Sequence, residues 1–205
     1  EPSAGTGIIT SLANRAAKAC LLNELEPARA ELLEGLFPGS PVFRHDGAKI
    51  AAMLSGTARP SVIVMNPPFS VSQSRGEDQN TAARHLRPAL DHLLPGGRVV
   101  AIMPDWFSAS ARGAEIFRRT LEGARVVLSL RLDKGGYAKH GTGIAVRVLV
   151  IDKVAGEIGV ATINRPSVSE LFDAITAVPP RATLRKPGTP PTPRLKLSMF
   201  RAVKS

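Results

Sequence analysis

The run SVIVMNPPFS, Ser61 to Ser70, passes from a block of apolar, mostly β-branched residues straight into an amide, two prolines and an aromatic ring. Apolar residues in unbroken succession, Val62 to Met65, suit a strand buried on both faces, the kind found in parallel sheets covered by helices. The prolines end it, because they bring no N–H to the ladder. They also fix φ at positions 67 and 68, so Asn66 and Phe69 flank a stiff corner. A strand end that holds an amide and a flat ring in place is a candidate binding site as well as a turn.

Outward from that strand, helix and strand signals alternate over residues 1–153. Leu12, Ala13, Ala16 and Ala17 give residues 8–18 a helical stripe, and ACLLN (19–23) reads as a buried strand. Pro27 suits a first helical turn, with Ala28, Leu32, Leu33 and Leu36 along one face behind it. PVF (41–43) is a short strand. Residues 80–94 read as a helix, with a kink expected at Pro88. RVVAIM (98–103) is a strand after the Pro95-Gly96-Gly97 turn. A helix follows over 109–122, with Ile116, Phe117 and Leu121 inward and Ser108 as its expected cap. Residues 125–130 and 144–151 are strands with no helix between them, which implies an antiparallel hairpin at one sheet edge. The expected fold is α/β, an open and mostly parallel sheet ending in that hairpin.

The two ends depart from this pattern. Glu1-Pro2-Ser3-Ala4-Gly5-Thr6-Gly7 looks like the turn that follows a strand, so the first strand of the sheet is expected to lie outside this sequence. Beyond Ala155 the alternation decays. Prolines 179, 180, 187, 190, 191 and 193 crowd the next segment, and Arg181 to Ser205 carries seven basic residues and no acidic one. The organisation expected is a domain over 1–155 and a Pro-rich, basic linker or tail over 156–205 that leads elsewhere.

Bulk properties narrow the class. A chain of 205 residues, 43% of them hydrophobic, suits one soluble globular domain. No apolar run approaches the roughly 20 residues of a membrane span, and no signal-peptide pattern opens the chain. Cys20 is the single cysteine and no Cys/His cluster has ligand spacing, so no metal is expected and a reducing, cytoplasmic setting fits. The net charge of +10 suggests a polyanionic partner, most simply nucleic acid, or else a solvated basic surface.

Gly5-Thr6-Gly7 ahead of a helix allows backbone to approach a ligand and points free N–H groups at it. A dinucleotide fingerprint is incomplete, since Thr10 stands where its third glycine belongs, and no Walker-type sequence occurs. Glu24 ends the next strand, where its carboxylate can accept ribose hydroxyls. Glu1 is better placed for the ammonium of a methionine moiety than for a pyrophosphate, which it would repel. Asp46 ends the third strand, at the carboxyl edge where open α/β sheets bind ligands, and can take an adenine amino group.

An exocyclic amine of a nucleobase is a poor nucleophile, because its lone pair is delocalised into the ring. Two acceptors on its two N–H groups favour a tetrahedral nitrogen and free that lone pair. The Asn66 side-chain oxygen and the Pro67 carbonyl can be those acceptors. Phe69 offers a face for base stacking, worth about 1–3 kcal/mol. Catalysis of this kind is positioning and electrostatics.

These residues carry a resemblance. Asn66-Pro67-Pro68-Phe69 resembles the [DNS]-P-P-[FYW] motif of amino-directed, S-adenosylmethionine-dependent methyltransferases, and Glu1 to Gly7 resembles their first motif, E/D-P-x-x-G-x-G. The motif order is similar to the γ-type adenine-N6 class, which implies a Rossmann-like class I fold. The resemblance assigns Glu1, Gly5 and Gly7 to the methionine part of the cofactor, with Pro2 and Ala4 in the same loop. It assigns Glu24 to the ribose, Asp46 to the adenine, and Asn66 to both cofactor and target amine. Asn66, Pro67, Pro68 and Phe69 form the catalytic corner. Tyr137 stands where the family has a second aromatic. Arg75, in SQSRGEDQN, is a candidate phosphate contact. The stretches LNELEPARAELLEGLFP, RHDGAKI, MNPPFS and YAKHGTGIAVRVLVIDKV are similar to the methylase half of strawberry-notch-like methylase–helicase fusions, which implies DNA and a covalently linked helicase region as partners, and the bacterial cytoplasm or nucleoid as location.

Other readings stay open on sequence alone: an RNA guanine-N2 methyltransferase, a protein glutamine-N5 methyltransferase, or a catalytically silent nucleic-acid-binding module beside a helicase. No separate target-recognition domain is evident, and a duplex substrate would need its base flipped out. The four histidines, His45, His85, His92 and His140, are scattered and read as surface or packing residues. Trp106 belongs to the core or to the acceptor cleft.

Overall fold

The computed structural model describes residues 1–57, 59–69, 80–110, 113–132, 145–156, 160 and 162–181. In chain order the elements are α1 (Ile8–Ala13), β1 (Leu22–Asn23), α2 (Pro27–Leu36), β2 (Val42–Phe43), a 3-10 turn (Gly47–Lys49), α3 (Ile50–Met53), β3 (Val62–Met65), α4 (Thr81–His92), β4 (Arg98–Pro104), α5 (Ala114–Thr120), β5 (Arg125–Leu132), β6 (Val146–Asp152), β7 (Thr162–Asn164) and α6 (Val168–Thr176). The strands form a parallel pair, β1–β2, and a five-stranded sheet ordered β3-β4-β6-β5-β7. β3–β4 and β5–β7 are parallel, whereas β6 runs antiparallel to both β4 and β5. β5 and β6 thus pair antiparallel as the sequence implies, but not at a sheet edge, because β6 lies between β4 and β5 and β7 continues the sheet beyond β5.

Burial explains the strands. Val99, Ala101, Met103, Leu149 and Ile151 alternate along β4 and β6 on one face and meet Leu86, Ala89 and Leu90 of α4, Leu93 just after it, and Phe117 of α5. On the opposite face Leu128, Leu130 and Val150 receive Leu171, Ala174 and Val178 from α6 and the residues after it. The sheet is therefore a middle layer, and each fully buried Leu or Ile removes enough apolar area to contribute about 1.5–3 kcal/mol. A third cluster seats Leu33 of α2 and Phe37 just after it against Ala4, Leu22 and Val42.

Several boundaries differ from those read in the sequence, each for a local reason. The strand expected over 19–23 pairs only at Leu22 and Asn23, because its partner β2 is equally short. The helix over 8–18 ends at Ala13, followed by turns. The helix over 109–122 begins at Ala114 behind Gly113, and Ser108 does not cap it, since its hydroxyl is bonded to Ser110 Oγ at 2.8 Å. A methyl on Gly113 would lie 2.1 Å from the Trp106 carbonyl, so only glycine fits that entry. Pro88 sits within a continuous α4. Burial of Leu86, Ala89 and Leu90 in the main core outweighs the roughly 3 kcal/mol that an interior proline costs.

The segment expected to be linker contributes real structure. β7 pairs with β5, and α6 begins at a reciprocal capping box: Glu170 N–H donates to Ser167 Oγ, and Ser167 N–H to Glu170 Oε2. Residues 182–205 of the expected tail lie outside the described residues.

At the amino edge, cations close the end of α4. Arg59 donates from Nε to the His92 carbonyl at 3.1 Å and from Nη2 to the Leu93 carbonyl at 3.0 Å, while Lys153 Nζ reaches the Asp91 and Leu93 carbonyls. Positive charge belongs at a helix C-terminus, where carbonyls lack partners. Across the sheet the fully buried Asp152 pairs with Arg98 at 2.6 Å and Arg125 at 3.3 Å, tying β4, β6 and β5 together. Among the described residues no helix is long and apolar enough to cross a membrane.

Candidate active site

The 3-10 turn at the carboxyl end of β2 packs on α4. A methyl on Gly47 would lie 2.7 Å from His85 Nδ1 and 3.1 Å from the Pro2 carbonyl, which shows how closely the loops converge there.

The Glu1–Gly7 loop is held to β1 by backbone and side chain together. Ala4 N–H donates to the Asn23 carbonyl at 2.9 Å and Gly7 N–H to the Ala4 carbonyl at 2.9 Å. Asn23, only 3% exposed, is the staple: its Nδ2 donates to the Pro2 and His45 carbonyls at 3.0 and 2.9 Å, and its Oδ1 accepts from His45 N–H at 2.9 Å. One buried amide thus fixes the glycine loop relative to the end of β2. Reading ACLLN as a plain apolar strand missed it; the signal was an amide in the strand's last position.

Gly5 and Gly7 both adopt positive φ, 55° and 85°. Their surroundings differ. A methyl on Gly7 would stand 2.6 Å from Phe37 Cε2, whereas one on Gly5 meets no atom within 4 Å. Gly7 therefore serves the approach of α1 to α2, and Gly5 borders open space. Pro2 and Ala4 are buried beneath the loop.

Glu24, 6% exposed, ends β1 facing this loop. Its Oε2 accepts from Gly5 N–H at 2.8 Å. Its Oε1 accepts from Glu26 N–H at 3.0 Å and from Arg29 Nη2 and Nε at 2.9 and 3.2 Å. Three donors fill Oε1, which leaves acceptor capacity at Oε2 alone. Glu1 is turned inward to the Thr10 hydroxyl of α1. Burial raises its pKa, opposed by that hydrogen bond. Thr10, which entered the sequence reading only as a missing glycine, is thus the partner of the first acidic residue. Asp46 is exposed; its Oδ1 accepts from Ala48 N–H at 2.9 Å and heads the 3-10 turn.

Asn66 follows β3 as an exposed side chain, and among the described residues no hydrogen bond engages its amide. Pro67 is buried, Pro68 exposed, and Phe69 half-buried against the main core. Trp106 packs on that same core and meets Phe107 edge-on, ring centres 5.9 Å apart. That contact meets the core reading of Trp106, which is half-buried. Tyr137 and Arg75 lie outside the described residues.

A second polar cluster lies at the same edge. Arg147, 7% exposed, donates to Asp105 Oδ1 at 3.1 Å, Ser129 Oγ at 2.9 Å and Thr162 Oγ1 at 2.8 Å, and Arg131 reaches Asp105 Oδ2 at 2.9 Å. Burial lowers the Arg147 pKa against the pull of Asp105. The cluster pins the loop that carries Trp106 to β5, β6 and β7. Among the described residues no group of His, Cys, Asp or Glu is placed to hold a metal.

No protein-family model matches the chain, and no curated protein matches it. Solved structures do. An inferred class I S-adenosylmethionine-dependent methyltransferase from Listeria monocytogenes superposes with a TM-score of 0.67 at 13% identity, over 86% of this chain and 62% of that one. The modification subunit of an inferred type I restriction enzyme from Vibrio vulnificus gives 0.59 at 17% identity, over 85% of this chain and 47% of the other. The M protein of the type I restriction enzyme EcoKI gives 0.55 at 18%, over 74% and 38%. The chain thus spans less than two thirds of the length of each. Its fold is that of the class I S-adenosylmethionine-dependent methyltransferases, a mixed α/β architecture with a mostly parallel sheet.

Proposed function

We infer that this chain transfers a methyl group from S-adenosylmethionine to an exocyclic amino nitrogen, that of adenine N6 in DNA. The observation that supports the reading is the positive-φ Gly5, which borders open space beside the Glu24 carboxylate, together with the exposed Asn66 side chain at the proline-stiffened corner after β3. The type I modification subunits among the structural neighbours support DNA as the acceptor. The strawberry-notch-like methylase–helicase resemblance rests on the quoted sequence segments.

The donors fit the cofactor. Glu24 Oε2 keeps acceptor capacity for a ribose hydroxyl, Asp46 offers an exposed carboxylate for an amino group, and a residue without a side chain at position 5 leaves room for the methionine part. When bound, S-adenosylmethionine supplies a methyl group on a positively charged sulfur. The protein's own contribution is placement. Asn66 Oδ1 and the Pro67 carbonyl accept the two N–H bonds of the target amine, which localises its lone pair toward the methyl carbon. Phe69 stacks on the base and fixes its plane. As the N–C bond forms the S–C bond breaks, and the methylated nitrogen releases one proton to solvent, so no strong general base is required.

The test is Asn66→Ala. Methyl transfer falls by several orders of magnitude while the cofactor dissociation constant, read by calorimetry, stays within a few-fold. Equal loss of both contradicts the role given to Asn66.

A further inference from the structure

Basic residues from several elements meet at the amino edge of the five-stranded sheet. Arg98 opens β4 and Arg125 opens β5, and both stand opposite Asp152 at the end of β6. Arg98 N–H donates to the Ser61 carbonyl, so the start of β3 lies beside them. α4 ends at the same edge, where Leu94 N–H donates to the Pro60 carbonyl at 2.9 Å.

Most of these cations are held by neutral groups. Arg59 and Lys153 share the carbonyls of Asp91 and Leu93. Arg87 donates to the Glu122 carbonyl at 2.9 Å, and Arg181 to the Ser61 carbonyl at 2.8 Å. A carbonyl fixes an ammonium or guanidinium in place without cancelling its charge. Arg59, Arg87, Arg98, Arg125, Lys153 and Arg181 together surround three carboxylates, those of Asp91, Glu122 and Asp152. Asp152 is wholly buried and is taken up by Arg98, itself 13% exposed, so it offers little to the surface.

The excess charge is felt within the cluster. Burial, then repulsion from Arg59, lowers the Lys153 pKa against the pull of Asp91. His92 Nε2, buried at the end of α4, has no hydrogen-bond partner among the described residues. Capping of α4 accounts for a cation at its last carbonyls. It does not account for two on the same pair of carbonyls, nor for Arg125 and Arg181. The sequence after Arg181 adds six basic residues and no acidic one.

We propose that this amino edge binds the phosphate backbone of duplex DNA, whatever its base sequence. Bound phosphates relieve the mutual repulsion of the cations, and the carbonyls have already set the side chains in place. Contacts of this kind position a duplex and carry no sequence information. Asn66 lies five residues beyond Ser61, about 16 Å along the strand direction, so this contact is separate from the acceptor corner. It needs neither adenine nor cofactor, and therefore goes beyond the methyl-transfer reading without depending on it.

The test titrates a duplex of two helical turns, built of G·C pairs alone, against the chain of 205 residues without cofactor, by fluorescence anisotropy over a salt series. Such a duplex holds no adenine, so its binding and the reaction stand or fall separately. Arg125→Gln with Arg181→Gln is expected to weaken binding about tenfold or more, and to lower the slope of log affinity against log salt by about 2. Either substitution alone, read if the pair does not fold, lowers the slope by about 1. Arg125→Lys with Arg181→Lys keeps the slope, because charge carries the contact. Arg44→Gln with Lys49→Gln removes equal charge near the carboxyl end of β2 and leaves the slope nearly unchanged. An unchanged slope in the first pair, a loss in the lysine pair, or an equal drop in the last pair overturns the proposal. So does a polyglutamate peptide that binds as tightly as the duplex, since an acidic protein segment is then the partner.

Discussion

Two glycines two positions apart do different work, and substitution separates them. Gly7→Ala puts a methyl into Phe37 at positive φ, and a stability loss of about 1–3 kcal/mol is expected by chemical denaturation. Phe37→Leu in the same chain recovers part of it. Gly5→Ala carries only the left-handed backbone cost, about 1–2 kcal/mol, and places its methyl in the open space beside Glu24. Its larger effect falls on cofactor affinity. Equal stability losses at both positions, with no rescue by Phe37→Leu, contradict this division. The sequence displayed the glycines and the Asn-Pro-Pro-Phe corner because each needs a specific residue type at a specific position. Asn23 was not legible in the same way. Its role depends on which two loops, Pro2 and His45, end within reach of one amide, and that is a property of the folded chain. The capacity of Glu24 was equally hidden, because Arg29, on the next helix, consumes one of its oxygens.

Among the elements, the strands were readable as apolar runs and α2 and α4 through their periodicity and prolines, although β3 is buried on one face only, with Val62 exposed and Val64 half-buried. β7 and α6 were obscured. In α6, Val168, Leu171, Phe172 and Ile175 do lie on one stripe, but the helix is nine residues long and three of the four stay exposed. The Ser167–Glu170 capping box was the available signal. Asp152 shows what pattern alone does not weigh: a carboxylate inside a strand, wholly buried between two arginines. Removing it leaves Arg98, 13% exposed, without its countercharge. Asp152→Ala is expected to lower unfolding free energy by about 3–5 kcal/mol, and an unchanged denaturation midpoint rules out the three-strand tie. His85 supplies a pH test for the α4–Gly47 contact. Burial, aided by Arg84 and opposed by Asp46, lowers its pKa below the ordinary 6.5. His92 shifts the same way, through burial, then Arg59 and Lys153. A depressed folded-state value means the neutral form is favoured in the native protein, so this stability is present above the unfolded value and lost as pH falls through the folded one. The thermal midpoint falls as the solution is taken from about pH 7 to about pH 5, and less steeply in His85→Asn. A parallel fall in the variant contradicts the assignment.

For the molecule as a whole, the strands divide into the β1–β2 pair and the five-stranded sheet, and the glycine loop is bonded to β1. The net charge of +10 agrees with a polyanionic acceptor. A salt series measures that contribution, since phosphate neutralisation makes log affinity fall linearly with log salt concentration. An affinity for DNA that is flat with salt contradicts it. The reaction itself is tested most directly by transfer of labelled methyl from S-adenosylmethionine to DNA, RNA and protein pools, followed by nuclease digestion and base analysis. The prediction is label in DNA as N6-methyladenine, abolished by Asn66→Ala. Label in none of the pools, or label that survives Asn66→Ala, contradicts it.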